Sequence, residues 1–225
     1  MFNQKNKSVF SLNVLKKAAF LVCAAPLAVF AQEWPVKQVT FLNPFPAGGG
    51  TDAFARPLAA QLTEQLGKQF IIDNRGGAGG TVGASVAAKA APDGYTIHIS
   101  AMTNQSISQA IFKNPPADLT KDFAPVALIG TVPHLIVVNP SVPAKNLPEL
   151  IAFIKSKKGD FNYASQGNGS LSHLESTLFM QRIGATGTHI PYKGSSFALP
   201  DLIAGNTLMM FDSVTASLPH IQSGK

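Results

Sequence analysis

The chain reads Asn43-Pro44-Phe45-Pro46-Ala47-Gly48-Gly49-Gly50-Thr51-Asp52 directly after the apolar, β-branched run Val39-Thr40-Phe41-Leu42. Two prolines stiffen the exit from a strand. Three consecutive glycines then remove every Cβ, so backbone N–H groups can approach a ligand closely. Thr51 or Asp52 is placed to cap the helix that follows, whose apolar positions Phe54, Leu58, Leu62 and Leu66 are four apart. Strand, glycine turn and helix N-terminus together make an anion site that needs no cationic side chain. A tight turn without a ligand is the plainer reading of the same glycines.

A second strand, glycine loop and helix follow downstream, in a chain without close internal repeats. A helix over 53–66 ends at Gly67, with Pro57 tolerated only near its first turn or as a kink. Phe70-Ile71-Ile72-Asp73 reads as a short buried strand, followed by a second glycine loop, Asn74-Arg75-Gly76-Gly77-Ala78-Gly79-Gly80. An alanine-rich helix over 81–91 is stopped by Pro92, and Asp93-Gly94 turns into a strand over 95–100. This order predicts an α/β fold with a parallel sheet covered by helices. Ligands in such sheets sit at the carboxyl ends of the strands, where both glycine loops lie.

A polar stretch over 102–122 and apolar runs at 124–129 and 135–138 lead into a second module. Leu147, Leu150, Ile151 and Ile154 make a helix face after Asn146, and a strand is expected over 161–164. Ser165-Gln166-Gly167-Asn168-Gly169-Ser170 is the third loop, opening a helix over 171–183. A strand at 189–192, a helix around 198–204 and a strand over 208–212 follow. Two βα modules, each with a glycine- and hydroxyl-rich loop, predict two lobes facing across a cleft, the first over 32–133 and the second over 134–225.

Ahead of these modules, residues 1–31 carry Lys5, Lys7, Lys16 and Lys17, an apolar run over 18–30 and the exit Val29-Phe30-Ala31. That is the three-part layout of a secretory signal peptide, too short for a comfortable membrane span. Cleavage is expected after Ala31, which places the mature protein in the periplasm. Cys23 falls inside the leader, so the mature chain has no cysteine, and Val22 is too bulky for a lipoprotein site. Of 18 basic and 12 acidic residues the leader holds four lysines and no acid, so the formal charge of +6 shrinks to a near-balance. That argues against a nucleic-acid partner. Lys155, Lys157 and Lys158 read as a solvated helix end.

Enzyme signatures are missing. Gly167-Asn168-Gly169-Ser170-Leu171 lacks the closing glycine of a nucleophile elbow, and no phosphate-binding G-x-x-x-x-G-K-[ST] is present. The loop at 76–83 fails the dinucleotide pattern at Val82. His98, His134, His173, His189 and His220 are scattered, without the spacing of a metal site. No catalytic residue, cofactor or metal is therefore expected. A hydrolase using Ser170 is the main enzymatic alternative, and a ligand sensor signalling to a membrane kinase is the main non-enzymatic one.

The first glycine stretch, the segment over 74–83, Asp93-Gly94-Tyr95-Thr96, Gly167-Asn168-Gly169-Ser170 with His173-Leu174, and His189-Ile190-Pro191-Tyr192-Lys193-Gly194 occur in one order. They closely resemble the Bug-type periplasmic solute-binding proteins of tripartite tricarboxylate transporters, across essentially all of the mature chain. The resemblance implies a type II periplasmic-binding-protein fold: two lobes with parallel-rich sheets around a cleft. That cleft closes on a small carboxylate and the protein, a monomer, delivers it to membrane permease subunits. A di- or tricarboxylate, an aromatic acid or an amino acid all fit such a site. Family members also continue past the position of Lys225 and return to the first lobe, so this chain reads as truncated. Asn206-Thr207-Leu208 replaces a common Val-Asp pair, and Pro57 is unusual in the first helix.

Resemblance and residue chemistry then nominate the pocket. In the first lobe Phe45, Ala47, Gly48 and Gly49 would offer backbone N–H groups to a carboxylate, directly or through water, with Phe45 also an apolar wall or a core aromatic. Asp52 reads as a helix cap, since an acid facing an anion would repel it. Ala78 and Gly79 would line the floor, or simply start a helix. Thr103 and Asn104 would donate hydrogen bonds, or form a surface turn. In the second lobe Ser165, Asn168 and Ser170 converge on a helix N-terminus, Ser170 as cap, contact or both. His173 reads as packing. Tyr192 and Asp212 fall at rim positions, Asp212 reading equally well as a buried structural acid.

Overall fold

β1 (Val39–Asn43) is the centre strand of a three-stranded sheet, and its burial on both faces follows from its composition. It pairs in parallel with β2 (Phe70–Asn74) on one side and β3 (Thr96–His98) on the other. Residues 33–225 are described by the computed structural model; the expected leader over 1–31 and its cleavage site lie outside them. Pro35–Lys225 form one unit built on this sheet and a second, four-stranded one. β2 lies at the sheet edge: Phe70 is buried while Ile71 is 40% exposed, which corrects the expectation of a buried strand.

α1 (Asp52–Leu66) lays Ala55 and Ala59 against Val39 and Phe41, in a core closed by Phe70 and Ile99. Gly67, left-handed at φ 64°, ends it. Pro57 lies in the second turn, so one backbone bond is missing and the helix continues past it. α2 (Thr81–Ala88) runs directly across the end of β1. A Cβ on Gly83 would stand 2.6 Å from Pro44 Cα and 2.8 Å from the Arg75 carbonyl oxygen, so glycine sets how close the helix sits. α2 stops at Ala88 instead of running to 91, and β3 is shorter than the expected 95–100. The polar stretch contains a helix that periodicity did not reveal, α3 (Met102–Ile111), because its buried face is itself polar: Asn104, Gln105 and Ser108.

The second sheet has the order β4-β7-β5-β6, from β4 (His134–Val138), β5 (Asn162–Ser165), β6 (Thr188–Pro191) and β7 (Met209–Ser213). β5 is parallel to both neighbours and β4 is antiparallel to β7. Adjacent residues Met209 and Met210 are both fully buried because they point to opposite, covered faces. Met209 packs with Leu150 and Ile154 of α4 (Leu147–Ser156) and Met180 of α5 (Leu171–Ile183). Met210 packs with Ala198, Leu199 and Leu202 of α6 (Ser195–Ile203) and Ala216 of α7 (Val214–Gln222).

Asn146 caps α4 by accepting the Glu149 N–H at 3.0 Å, while the Glu149 carboxylate reaches back to the Lys145 N–H at 2.8 Å, one residue before the cap. The apolar run at 124–129 is not a strand. It lies in an irregular segment with Val126 83% and Leu128 75% exposed.

Candidate functional site

The first glycine loop is held in place by Asp52, which is buried beneath it. Its carboxylate accepts hydrogen bonds from the Gly48 N–H at 2.9 Å, Arg56 Nε at 2.6 Å and the Asn74 side chain at 3.2 Å. Burial alone would raise this carboxyl, but those three hydrogen bonds outweigh it and hold it below the usual carboxylate range. Neither Thr51 nor Asp52 caps α1 with its side chain, contrary to expectation; the Thr51 hydroxyl donates to Asn43 Oδ1 at 2.7 Å. The Phe45 N–H also goes to Asn43 Oδ1, at 3.2 Å, and the Gly49 N–H to the Pro46 carbonyl at 3.3 Å. The amides of Phe45, Gly48 and Gly49, expected to face a carboxylate, are thus engaged within the loop that they shape.

Beside the loop opens a cleft of about 300 Å³. Phe45, Phe54, Ile99, Leu128 and Ile129 give it an apolar wall. The starts of five helices border it: Thr51 before α1, Met102 to Asn104 in α3, Leu171 in α5, Ser195 in α6, and Ser213 with Thr215 around the start of α7. Four of the five, α1, α3, α6 and α7, begin without a side-chain cap. The first N–H groups of a helix have no acceptor inside it, and the macrodipole places about half a positive charge there. Of these groups the Ala53 N–H of α1 turns to the Gly49 carbonyl and the Val214 N–H of α7 to the Pro133 carbonyl.

The fifth start is closed: Ser170 Oγ accepts the His173 N–H at 3.2 Å, and Asn104 Oδ1 accepts the Leu171 N–H at 2.6 Å. Among the described residues no Lys, Arg, Asp or Glu lines the cleft. His134 does line it, with Nδ1 2.7 Å from the Glu175 carboxylate. Backbone dipoles aimed into a partly apolar space give positive potential without a fixed cation, which suits a small anion.

Residues 54–225 match the sequence profile of the tripartite tricarboxylate transporter family receptor. The chain belongs to this family. BugT of Bordetella pertussis is 38% identical over 202 residues, which cover 89% of this chain and 61% of BugT. A protein encoded in the tcbD–tcbE intergenic region of a Pseudomonas species is 37% identical, over 84% of this chain and 56% of its own length. Among solved structures, an R. palustris protein with adipate superposes with a TM-score of 0.82 at 37% identity, and the periplasmic binding protein BugD with 0.80 at 35%. MatC from Rhodopseudomonas palustris with bound malate gives 0.75 at 32%. The first two structures are each matched over 85% of this chain and 64% of theirs, so the chain spans under two thirds of the relatives' length. The fold is that of the periplasmic binding proteins, α/β with parallel-rich sheets.

Within this fold the nominated residues scatter, and Gly49 is buried outside the cleft lining. Phe45, Thr103 and Asn104 line the cleft. Ala78 and Gly79 join the two glycine loops instead of flooring the cleft: both have positive φ, and a Cβ on Gly79 would stand 2.9 Å from the Asn168 carbonyl oxygen. Ala47, Gly48 and Asn168 are exposed outside it.

Ser165, Ser170 and Asp212 are fully buried, which fits the cap reading of Ser170 and the structural-acid reading of Asp212 and runs against direct contact by Ser165. Ser165 Oγ meets His189 Nε2 at 2.7 Å, and Ser170 Oγ donates to the Gly167 carbonyl at 2.7 Å besides capping α5. Asp212 Oδ1 accepts from Gln166 at 2.7 Å and Ser195 at 2.6 Å, and Oδ2 from Ser217 at 2.7 Å. The Tyr192 hydroxyl donates to Asp201 at 2.6 Å; burial and that carboxylate push the phenol up to about 12.

Gln166, Ser195, Ser213 and Thr215 were missed, although they stand at the carboxyl end of β5 or at the starts of α6 and α7. The rule that ligands sit at strand ends would have found them. α7 was not read as a helix, because Val214, Thr215 and Pro219 disguise it.

Proposed function

We propose that this chain is the periplasmic receptor component of a tripartite tricarboxylate-type transporter, binding a small carboxylate in the cleft and passing it to membrane permease subunits. The observation that carries this reading is the convergence of uncapped helix starts on a cleft without basic side chains. A carboxylate there accepts from backbone donors that are already aligned, so little ordering is required on binding. The relatives solved with adipate and malate support a dicarboxylate-sized ligand. Residues 32–133 and 134–225 act as the two lobes, residues 1–31 direct export and are then removed, and the receptor works as a monomer. It binds without turnover: the one serine nominated as a nucleophile, Ser170, is buried with its hydroxyl committed to a cap.

Isothermal titration of the purified chain with a panel of di- and tricarboxylates, malate and adipate among them, tests the proposal. One-to-one binding is expected, with the ligand recovered unchanged after long incubation. Ser170→Ala should leave affinity within about twofold, because the cap touches no ligand, while lowering stability by about 1 kcal/mol. Absence of binding by every member, or turnover abolished in Ser170→Ala, overturns the reading.

A further inference from the structure

Two hydrogen-bond chains at the cleft have forced directions, and they leave Ser100 and Gln166 as acceptors. His98 Nδ1 lies 3.1 Å from the Leu42 carbonyl oxygen, which can only accept, so Nδ1 carries the proton. Burial lowers the His98 pKa, which keeps the ring neutral and Nε2 bare. Gln105, itself 3% exposed, places its amide nitrogen 2.6 Å from Nε2 and must donate. Its carbonyl oxygen therefore faces Ser100 and receives the Ser100 hydroxyl proton. Ser100 lines the cleft two residues before α3 begins, with only lone pairs left to offer.

The opposite wall repeats the pattern. Gln166 donates both amide hydrogens, to Asp212 Oδ1 at 2.7 Å and to Ser195 Oγ at 3.1 Å, leaving its carbonyl oxygen. Ser195 donates its own proton to Asp212.

We infer that the cleft selects a carboxylate carrying its own hydrogen-bond donor, a hydroxyl or ammonium group, with Ser100 and Gln166 as the specificity-determining acceptors. Helix starts take the carboxylate and these oxygens take the donor. His98 and Gln105 are positioning residues: they act by fixing which way the Ser100 proton points. A dicarboxylate without a donor leaves those oxygens facing methylene groups, unpaired once water is excluded. The inference rests on the receptor reading and narrows it to hydroxy- and amino-carboxylates.

Titration calorimetry on the purified chain with succinate, malate, aspartate and adipate tests it, since malate and aspartate differ from succinate by the one donor. Malate or aspartate should bind about tenfold more tightly than succinate, and which of them does so separates hydroxyl from ammonium. Ser100→Ala should reduce that preference several-fold. Gln105→Leu should also shrink it while strengthening succinate, because the Ser100 hydroxyl becomes free to donate; mere loosening of the fold would weaken every ligand. Succinate or adipate binding as tightly as malate and aspartate, or a preference untouched by both variants, overturns the inference and leaves the receptor standing. If no carboxylate binds at all, the receptor reading itself fails.

Discussion

Asp212 closes β7 with no exposed surface, and its partners are neutral donors: Gln166, Ser195 and Ser217. The start of α7 immediately after it adds dipolar support. Asp212→Ala would leave three buried donors without their acceptor, each costing about 1–3 kcal/mol if not re-paired. Equilibrium urea unfolding should show a loss of about 2 kcal/mol or more, with the m-value unchanged. Carboxylate affinity should fall too, since Gln166 and Ser195 line the cleft and lose what orients them. A loss under about 0.5 kcal/mol would mean that the network repacks freely and Asp212 does not organise the wall. The chain itself left Asp212 open between contact and structural acid. Side-chain type and position on a strand end do not decide which way a carboxylate points. Asp52 was misread for the same reason: its distant partners, Asn74 above all, arrive through tertiary packing.

At the scale of elements, local chemistry was most legible where it is self-contained. α5 was expected over 171–183 and forms as Leu171–Ile183, because Ser170 and Gly184 mark both ends. α3 and α7 escaped notice because their sequences lack an apolar stripe or carry β-branched residues and proline; tertiary contacts supply what propensity does not. β6 and α5 are joined by a titratable contact. His189 stacks on His173 with ring centroids 4.3 Å apart and meets Ser165 through Nε2. Burial, then the neighbouring His173, pushes the His189 pKa down to about 4, while the unfolded value lies near 6.5. Between those values the unfolded chain binds more protons, so stability must rise with pH across the window. The contribution is complete above about pH 6.5 and is lost as pH falls towards 4. Unfolding free energies measured between about pH 7 and pH 5 should decline on acidification, and His189→Gln should flatten that slope. An identical slope in the variant would assign the acid sensitivity elsewhere.

Across the whole molecule, the first and second sheets meet through glycine-rich loops and a few polar side chains. Gly79 packs on the backbone of the 165–170 loop, and a Cβ on Gly50 would come within 2.4 Å of Ser213 Oγ. Polar contacts complete the joint: Asn104 with the Leu171 N–H, and Ser108 Oγ with the Gly169 carbonyl at 3.3 Å. The glycine loops were legible as sites of close approach, but the chain could not say that part of what they approach is each other. Residues separated by some ninety positions carry no local sign of their pairing. Such a joint, small and polar, is what a receptor needs if its halves are to part without disturbing either core. Gly79→Ala tests this. The substitution forces alanine to φ +65° with its Cβ 2.9 Å from the Asn168 oxygen, which should cost about 2 kcal/mol locally. Native-state hydrogen exchange should then quicken about tenfold or more for amides at 78–83 and 165–170, while amides of β7 keep their protection. Equal acceleration in β7 would mean that the joint and the cores open as one cooperative unit, leaving no separate element for a ligand to close.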